Sequence, residues 1–320
     1  MDLALFVCPA CRGDLAAEGE SLHCKKCGRT FPVRDGIARF VPDEGEVGSF
    51  GYQWNRFEKT QIGLGANEER FFSESRWPRD LRGQVVVEAG SGAGRFTGAA
   101  ASTGATVIAV DASLAIEAAK RNNPLPNVTF LQADIRSLPL KDAVADKLYC
   151  FGVLQHTSDP EATFRALLPA LKPGGSLVFD VYELSWRSLI TGKYYLRPLT
   201  KRLPPRILFP LVRLYFGVLW PLLLPFHWIL GRRAWRVGSL LGVTDYRGIH
   251  DLPKDKLYEM SLLDTFDMLS PAHDHPKTPG QVRRWLERAG LVDGEVTRGH
   301  NGVLVRVTKR GALALPEGSH

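Results

Sequence analysis

No aspartate or glutamate occurs between Leu184 and Thr244, although that stretch holds ten lysines and arginines. The chain of 320 residues carries a net charge of +7, so the remainder is net negative and the basicity belongs to one segment. Any argument from charge to a partner must therefore go through that segment. A basic leader is also missing: the opening MDLALFVCPAC has one short apolar run, broken at a cysteine pair. It does not read as a signal peptide, and a cytoplasmic location is expected. There is no internal repeat. A hydrophobic content of 44% with 23% charged residues excludes a disordered tail or a coiled coil. The length allows one large domain with an accessory piece.

Cysteine is scarce, but four of the five fall as Cys8-x-x-Cys11 and Cys24-x-x-Cys27 with 12 residues between the pairs. Each pair forms a tight turn that aims two thiolates at one point, and two such turns complete a tetrahedral shell, so Zn²⁺ is expected on Cys8, Cys11, Cys24 and Cys27. Residues 1–42 read as a zinc ribbon with one short strand, stabilised by the metal because so small a unit buries little core. Cys150 stands in an apolar strand and reads as packing. The acidic stretch Pro42 to Glu46 reads as a linker, and FGYQWNRFEKT, from Phe50, as the start of a helix.

From Val85 the pattern alternates. Strands are predicted at Val85 to Glu88, Thr106 to Val110, Val128 to Leu131, Lys147 to Phe151 and Ser176 to Val181. Helices are predicted at Arg95 to Ser102, Ala112 to Arg121 and Pro160 to Leu171. The alternation stops near Leu184 and resumes with TPGQVRRWLERAG, capped by Thr278 and stopped at Gly290. A hairpin of Gly294 to Arg298 and Val303 to Thr308 follows, and the tail after Lys309 looks loose. The expected fold is α/β, a doubly wound, mostly parallel seven-stranded sheet with an amino-terminal zinc ribbon and a helical insert. Its boundaries are 1–42 for the ribbon, 43–81 for a linker and helical cap, 82–184 with 277–310 for the main domain, and 185–276 for the insert.

The first strand runs into VVVEAGSGAGRFTG, where glycines admit a ligand close to the backbone. The dinucleotide fingerprint needs a third glycine at position 95, which is Arg95, so a diphosphate is a poor fit. What stands there is Glu88-x-Gly90-x-Gly92-x-Gly94, an acid two residues ahead of the bend, which suits a cationic ligand.

Together with VIAVDAS, FLQADIRSLPL, ADKLYCFGVLQHTSDPE and LKPGG, this stretch resembles the class I S-adenosylmethionine-dependent methyltransferases over roughly residues 82–182 and 278–308. The resemblance implies S-adenosylmethionine as cofactor. It implies that Glu88, Gly90, Gly92 and Gly94 hold the methionine part, Asp111 the ribose hydroxyls and Asp134 the adenine amine. Ala112, Ile135 and Phe151 are expected beside them at the same strand ends. CPAC…CKKCGRTFPVRDGIARF is similar to the small zinc domain that accompanies several methyltransferases, and reads as structural first.

Residues 207–230, ILFPLVRLYFGVLWPLLLPFHWIL, are almost wholly apolar, and length alone permits a membrane span. Pro210, Pro221 and Pro225, with Arg213 and His227, argue against a straight lipid-facing helix. Three readings stand: a soluble lid over an apolar pocket or a homo-oligomer surface, a bent helix pair lying peripherally on the inner face of the membrane through residues 185–240, and a span. The first is favoured. Each puts apolar surface over the site, so the expected acceptor is a hydrophobic or amphiphilic small molecule, lipid or lipid-linked compound, methylated on oxygen. The alternatives are an RNA base methyltransferase, with nucleic acid disfavoured because the ribbon carries little of the charge, and a membrane-associated adaptor without catalysis.

An oxygen acceptor calls for a general base at a strand's carboxyl end. His156, after the fourth strand, meets that placement as a base or as a group that orients the loop. His300 is the second candidate, with Asn301 beside it on a turn whose Asn-Gly chemistry also suffices by itself. His273 and His275 flank Asp274 with no fourth metal ligand in sight, and read as a substrate-facing or solvated loop. Tyr52, Trp54 and Arg56 are expected over the cofactor or acceptor, with plain packing the equal alternative.

Overall fold

The computed structural model describes residues 2–42, 45–62 and 65–311. Eleven strands form one sheet: β1 (Leu15–Glu18), β2 (Ser21–Cys24), β3 (Thr30–Arg34), β4 (Ile37–Arg39), β5 (Val85–Ala89), β6 (Thr106–Asp111), β7 (Val128–Gln132), β8 (Ala145–Cys150), β9 (Leu171–Tyr182), β10 (Glu295–Gly299) and β11 (Gly302–Thr308). Their order is β1-β2-β3-β4-β7-β6-β5-β8-β9-β11-β10. The seven strands expected of the main domain are β5 to β11. β5 to β9 pair in parallel, and β11 is antiparallel to both β9 and β10, so β10 points the same way as β5 to β9. Both β10 and the inner strands thus bring their carboxyl ends to one face.

The seven-strand expectation is too small because the ribbon is not a separate bead. Its four strands replace the single one expected, and β4 joins the main sheet parallel to β7, with Ala38 opposite Leu131 and Arg39 opposite Gln132. The Phe40 N–H donates to the Gln132 carbonyl at 2.7 Å. Arg39 carries the joint on its side chain, 3.0 Å from Gln132 Oε1 and 2.8 Å from Glu117 Oε1. Phe6, Leu15, Leu22 and Phe31 of the ribbon belong to the same apolar core as Leu131, Leu138 and Leu140. Because this core is shared, stripping the metal is expected to lower the melting temperature of the whole protein. A structural zinc site contributes several kcal/mol, and each kcal/mol moves a domain this large by about 2–4 °C. Calorimetry with and without a zinc chelator measures the shift, and an unchanged transition would contradict the shared core.

Twelve helices surround the sheet among the described residues: α1 (Gly48–Arg56), α2 (Gly65–Ser75), α3 (Thr97–Ala101), α4 (Ala115–Asn122), α5 (Pro160–Leu167), α6 (Trp186–Leu189), α7 (Lys193–Thr200), α8 (Pro205–Leu222), α9 (Leu224–Leu230), α10 (Trp235–Leu240), α11 (Lys254–Leu269) and α12 (Pro279–Arg288). α3 starts two residues later than expected, because Gly92 and Gly94 hold positive φ and prolong the turn. α5 gives way to a 3-10 turn at Leu168–Ala170. β9 then begins at Leu171, so the LKPGG turn lies inside the strand as an irregularity in its pairing with β8. Thr278 and Gln281 form the reciprocal cap of α12.

The insert is closed at its base by a parallel bridge between Glu183 and Lys277. Inside it, α8 packs Leu208, Phe209, Val212 and Phe216 against Leu262, Leu263 and Phe266 of α11, with Phe57 in the same cluster. Among the described residues no single helix is long and apolar enough to cross a membrane; α8 and the stretch from Leu224 to Leu240 are bent by 43°. Residues 43 and 44 of the expected linker, and 312–320 of the tail expected to be loose, lie outside the described residues.

Candidate active site

The carboxyl ends of β5, β6, β7, β8 and β10 open into one cavity of about 1480 Å³. At the end of β5 the chain turns through Gly90 and Gly92, whose φ values of +81° and +52° suit a residue without a Cβ. A Cβ on Gly90 would stand 2.4 Å from a Val153 methyl, and one on Gly92 would face the Trp54 indole at 3.4 Å. The bend is therefore shaped on both sides, with Trp54 as a cover. Gly94 does different work. It is not part of the cavity wall, and a Cβ there would come within 2.3 Å of the Asn123 amide on the far side.

Asp111, ending β6, is anchored from three sides. Oδ2 accepts the Gly92 N–H at 2.8 Å, and Oδ1 accepts the Ser113 N–H at 2.8 Å and hydroxyl at 2.7 Å. The carboxylate is thus fixed in orientation while facing the cavity together with Ala112. Burial raises its pKa, and the Ser113 and Gly92 donors pull against that. Glu88 lies deeper, 2% exposed, and accepts the Thr97 hydroxyl at 2.5 Å. Burial pushes its carboxyl up to about 8, with the neighbouring Asp111 charge adding to the rise and the Thr97 and Tyr149 hydroxyls opposing it. Asp134, beyond β7, also faces the cavity beside Ile135, and the Arg136 guanidinium donates to its Oδ2 at 2.9 and 2.7 Å and to its Oδ1 at 3.1 Å.

His156 sits in the 3-10 turn after β8, between the rings of Phe50 at 5.2 Å and Tyr182 at 5.4 Å. Its Nδ1 is 3.0 Å from the His273 carbonyl oxygen, which can only accept, so Nδ1 carries the hydrogen and Nε2 keeps its lone pair. Burial lowers the imidazole pKa, with the Asp267 carboxylate and the His273 carbonyl partly restoring it. The result is a neutral, oriented ring on the cavity wall.

The cavity floor holds a buried charge network absent from the sequence reading. Arg70 of α2 donates to Glu74 at 2.8 Å and to Asp180 of β9 at 3.0 Å. Asp180 also accepts the Gly152 N–H at 2.5 Å, and burial lifts its carboxyl to about 6 against the pull of Arg70. Arg95 completes the group, held by Asn67 Oδ1 at 2.8 Å and Gln61 Oε1 at 3.1 Å, and burial lowers its pKa to about 10. Opposite, α11 contributes Asp264 and Asp267. Tyr246 donates to Asp264, whose carboxyl burial pushes up to about 7, and Gln53 donates to Asp267 at 3.0 Å.

Most of the residues named from sequence meet in this cavity: Glu88, Gly90, Gly92, Asp111, Ala112, Asp134, Ile135, Phe151, Trp54, His156, His300 and Asn301 all line it. His300 hangs at the rim, its N–H held by Glu74 Oε1 at 2.6 Å, and burial and the Arg70 charge lower its pKa. Four expected acceptor contacts do not reach the wall. Tyr52 is taken into the insert's packing against Phe209 and Phe266, and Arg56 lies over the Phe209 ring at 4.3 Å. His273 and His275 stack on each other at 5.5 Å behind His156 and support that loop through backbone, the His275 N–H donating to the Gln155 carbonyl at 2.8 Å. The expected apolar roof is also absent: no residue of α8 or α9 lines the cavity, whose insert side is made by Lys193, Tyr246, His250, Asp264, Asp267 and their neighbours. The apolar run is spent on packing against α11 and on the surface.

In the ribbon, the four cysteine sulfurs all lie within 4.8 Å of one another. Cys8 and Cys27 are 3.8 Å apart and Cys11 and Cys24 3.4 Å apart. A tetrahedron with metal–sulfur bonds of about 2.3 Å has sulfurs about 3.8 Å apart, so the cluster fits Zn²⁺.

Residues 87–179, which carry β5 to β8 and most of β9, match the family model of a methyltransferase domain. The chain contains a methyltransferase domain. Residues 3–36 match a second model, Trm112p-like protein, which covers the cysteine cluster. The motifs that imply S-adenosylmethionine, from Glu88 to the LKPGG turn, lie within the matched residues. Among curated relatives, the chain is 30% identical to tRNA U34 carboxymethyltransferase of Desulfotalea psychrophila over 34% of this chain and 37% of that protein. It is 34% identical to ubiquinone biosynthesis O-methyltransferase of Xanthomonas oryzae over 38% of this chain and 54% of that protein. Among solved structures, a complex between the Haloferax volcanii Trm112 methyltransferase activator and a putative methyltransferase is similar at TM-score 0.48 and 13% identity, over 85% of this chain and 100% of that one. The chain spans between about a third and a half of the length of these curated relatives.

Proposed function

We propose that the chain transfers the methyl group of S-adenosylmethionine to an oxygen of an amphiphilic small molecule. The observation that carries this reading is one cavity in which the glycine bend, Asp111 and a neutral His156 meet. When bound, the donor supplies an electrophilic methyl on a sulfonium. Gly90 and Gly92 leave room for its methionine end, and the anchored Asp111 carboxylate receives its ribose hydroxyls. Asp134, already paired with Arg136, edges the adenine pocket. His156 takes the acceptor's proton at Nε2 while the His273 carbonyl holds Nδ1–H.

The cavity exceeds the ~300–1,000 Å³ of an ordinary ligand pocket, so it has room for donor and acceptor together. Its acceptor half is mixed in character. Phe50, Met260 and Met268 offer apolar contact, while Lys193, Tyr246, Asp264 and Asp267 offer polar contact. That mixture favours an acceptor with a polar reacting end and an apolar body, in keeping with the O-methyltransferase among the relatives. The tRNA-modifying relative keeps an RNA acceptor as the second reading; it predicts RNA affinity that falls steeply with salt.

Glu88 supplies a test. With its carboxyl at about 8, it is protonated in the free protein at pH 7. A cationic donor beside it favours the ionised form, so binding releases a proton, and affinity rises with pH up to about 8 and then levels. Calorimetry of S-adenosylmethionine binding in buffers of different ionisation enthalpy is expected to show this release. Binding without proton release and without pH dependence would remove Glu88 from the donor site.

A further inference from the structure

The outer face of the insert carries an apolar ridge that plays no part in the cavity. On α8, Ile207, Leu211, Leu214, Val218 and Leu222 are exposed at steps of four, three, four and four, which places them on one side of the helix. The opposite side is the one buried against α11. Near the end of α9, Trp228 is 81% exposed and Ile229 78% exposed. So many exposed large apolar side chains on two consecutive helices mark contact with something apolar.

The charges around the ridge say what that is. Lys201, Arg202 and Arg206 stand exposed at one end and Arg232, Arg233 and Arg236 at the other, none of them ion-paired to an acid among the described residues. No acidic residue lies anywhere from Leu184 to Thr244. A second copy of the chain docked on the same face would set these cations against each other. A nucleic acid would satisfy the cations and leave the leucines, isoleucine and tryptophan in water. A bilayer with anionic headgroups satisfies both, taking the ridge below the headgroup level and the guanidinium groups at it.

The bend between the helices supports a surface position. Pro221 and Pro225 interrupt the backbone ladder, and His227 is pinned to Asp245 at 2.8 Å, with Arg247 on the same carboxylate. α8 and the stretch from Leu224 to Leu240 are thereby held at an angle of 43° within the folded protein.

We propose that the exposed face of α8 and α9, with its flanking arginines, docks on anionic lipid bilayers as a peripheral anchor. The proposal is independent of the methyl-transfer reading. The test is sedimentation of the full-length protein with vesicles of phosphatidylcholine alone and with vesicles containing about one third phosphatidylglycerol. Binding to the anionic vesicles, weakened by salt, is expected.

Two pairs of substitutions at exposed positions separate the contributions: Trp228→Ser with Ile229→Ser, and Arg232→Gln with Arg233→Gln. At about tenfold per 1.4 kcal/mol and about 1 kcal/mol per headgroup-level cation, losing two arginines lowers the partition roughly 30-fold. The apolar pair is expected to cost at least about tenfold. Unchanged thermal melts certify the fold of both variants. No binding to anionic vesicles, or equal binding by the variants, overturns the proposal. So does a dimer by sedimentation equilibrium that dissociates in the Trp228/Ile229 variant, because it assigns the ridge to a second copy.

Discussion

Replacing His156 with alanine is expected to lower kcat by about 10²–10⁴-fold, the range of a positioned general base, while leaving donor affinity within about twofold. The separation follows from geometry. His156 lies on the β8 side of the cavity, and the groups assigned to the donor hang from β5, β6 and β7. The side chain is packed between Phe50 and Tyr182, so alanine also removes some packing, and a melt must accompany the rate. Glutamine at the same position fills the space without a basic nitrogen and should be as slow as alanine.

The pH profile of the wild type gives the sign. Burial depresses the His156 pKa, so the ring stays neutral and competent below the ordinary imidazole value of about 6.5. Turnover limited by this base should therefore hold as pH falls through that value and decline only lower. A decline centred above it, or normal turnover by the alanine variant, would leave His156 as a support of the loop only.

The second large effect is expected at Asp111. Its oxygens are held by Gly92 and Ser113, so the carboxylate is oriented before any ligand arrives. Hydrogen bonds from two ribose hydroxyls to a charged acceptor contribute about 1.5–3 kcal/mol each. Asp111→Ala should thus weaken S-adenosylhomocysteine binding by at least about 100-fold. It should also loosen the bend, because the Gly92 N–H loses its partner. Asp111→Asn separates these two consequences: it keeps an acceptor for Gly92 but loses the charge, and a smaller affinity loss is expected. Unchanged affinity in the alanine variant would exclude Asp111 from the ribose.

The parallel core and its ligand face were legible because both rest on local signals. β-branched runs such as Val85 to Val87 make strands, the glycines mark the bend, and Asp111 and Asp134 fall where strands end. The cysteine spacing announced a metal site with equal clarity. The sharing of a sheet and core between ribbon and main domain was not legible, because pairing of β4 with β7 depends on two residues of register, and nothing local fixes them.

The same limit explains the misplaced acceptor contacts. Tyr52 and Arg56 lie on α1 with Trp54, and one turn of helix decides that only Trp54 faces the bend. The floor network was missed although traces existed. Asp180 is a lone acid inside SLVFDVY, and Asp264 and Asp267 interrupt the apolar SLLDTFDML three residues apart. An acid inside an apolar run needs a buried partner, which the structure supplies as Arg70 for Asp180, Tyr246 for Asp264 and Gln53 for Asp267. The long apolar run misled in the opposite direction, since its hydrophobicity gave no information about which side it would bury.

The most direct measurement is a crystal structure of the protein with S-adenosylhomocysteine. The account predicts the homocysteine end in the bend at Gly90 and Gly92 beneath Trp54, the ribose hydroxyls on Asp111, and the sulfur facing the side of the cavity that carries His156. A bend left empty at saturating ligand, or a ribose turned away from Asp111, would contradict it.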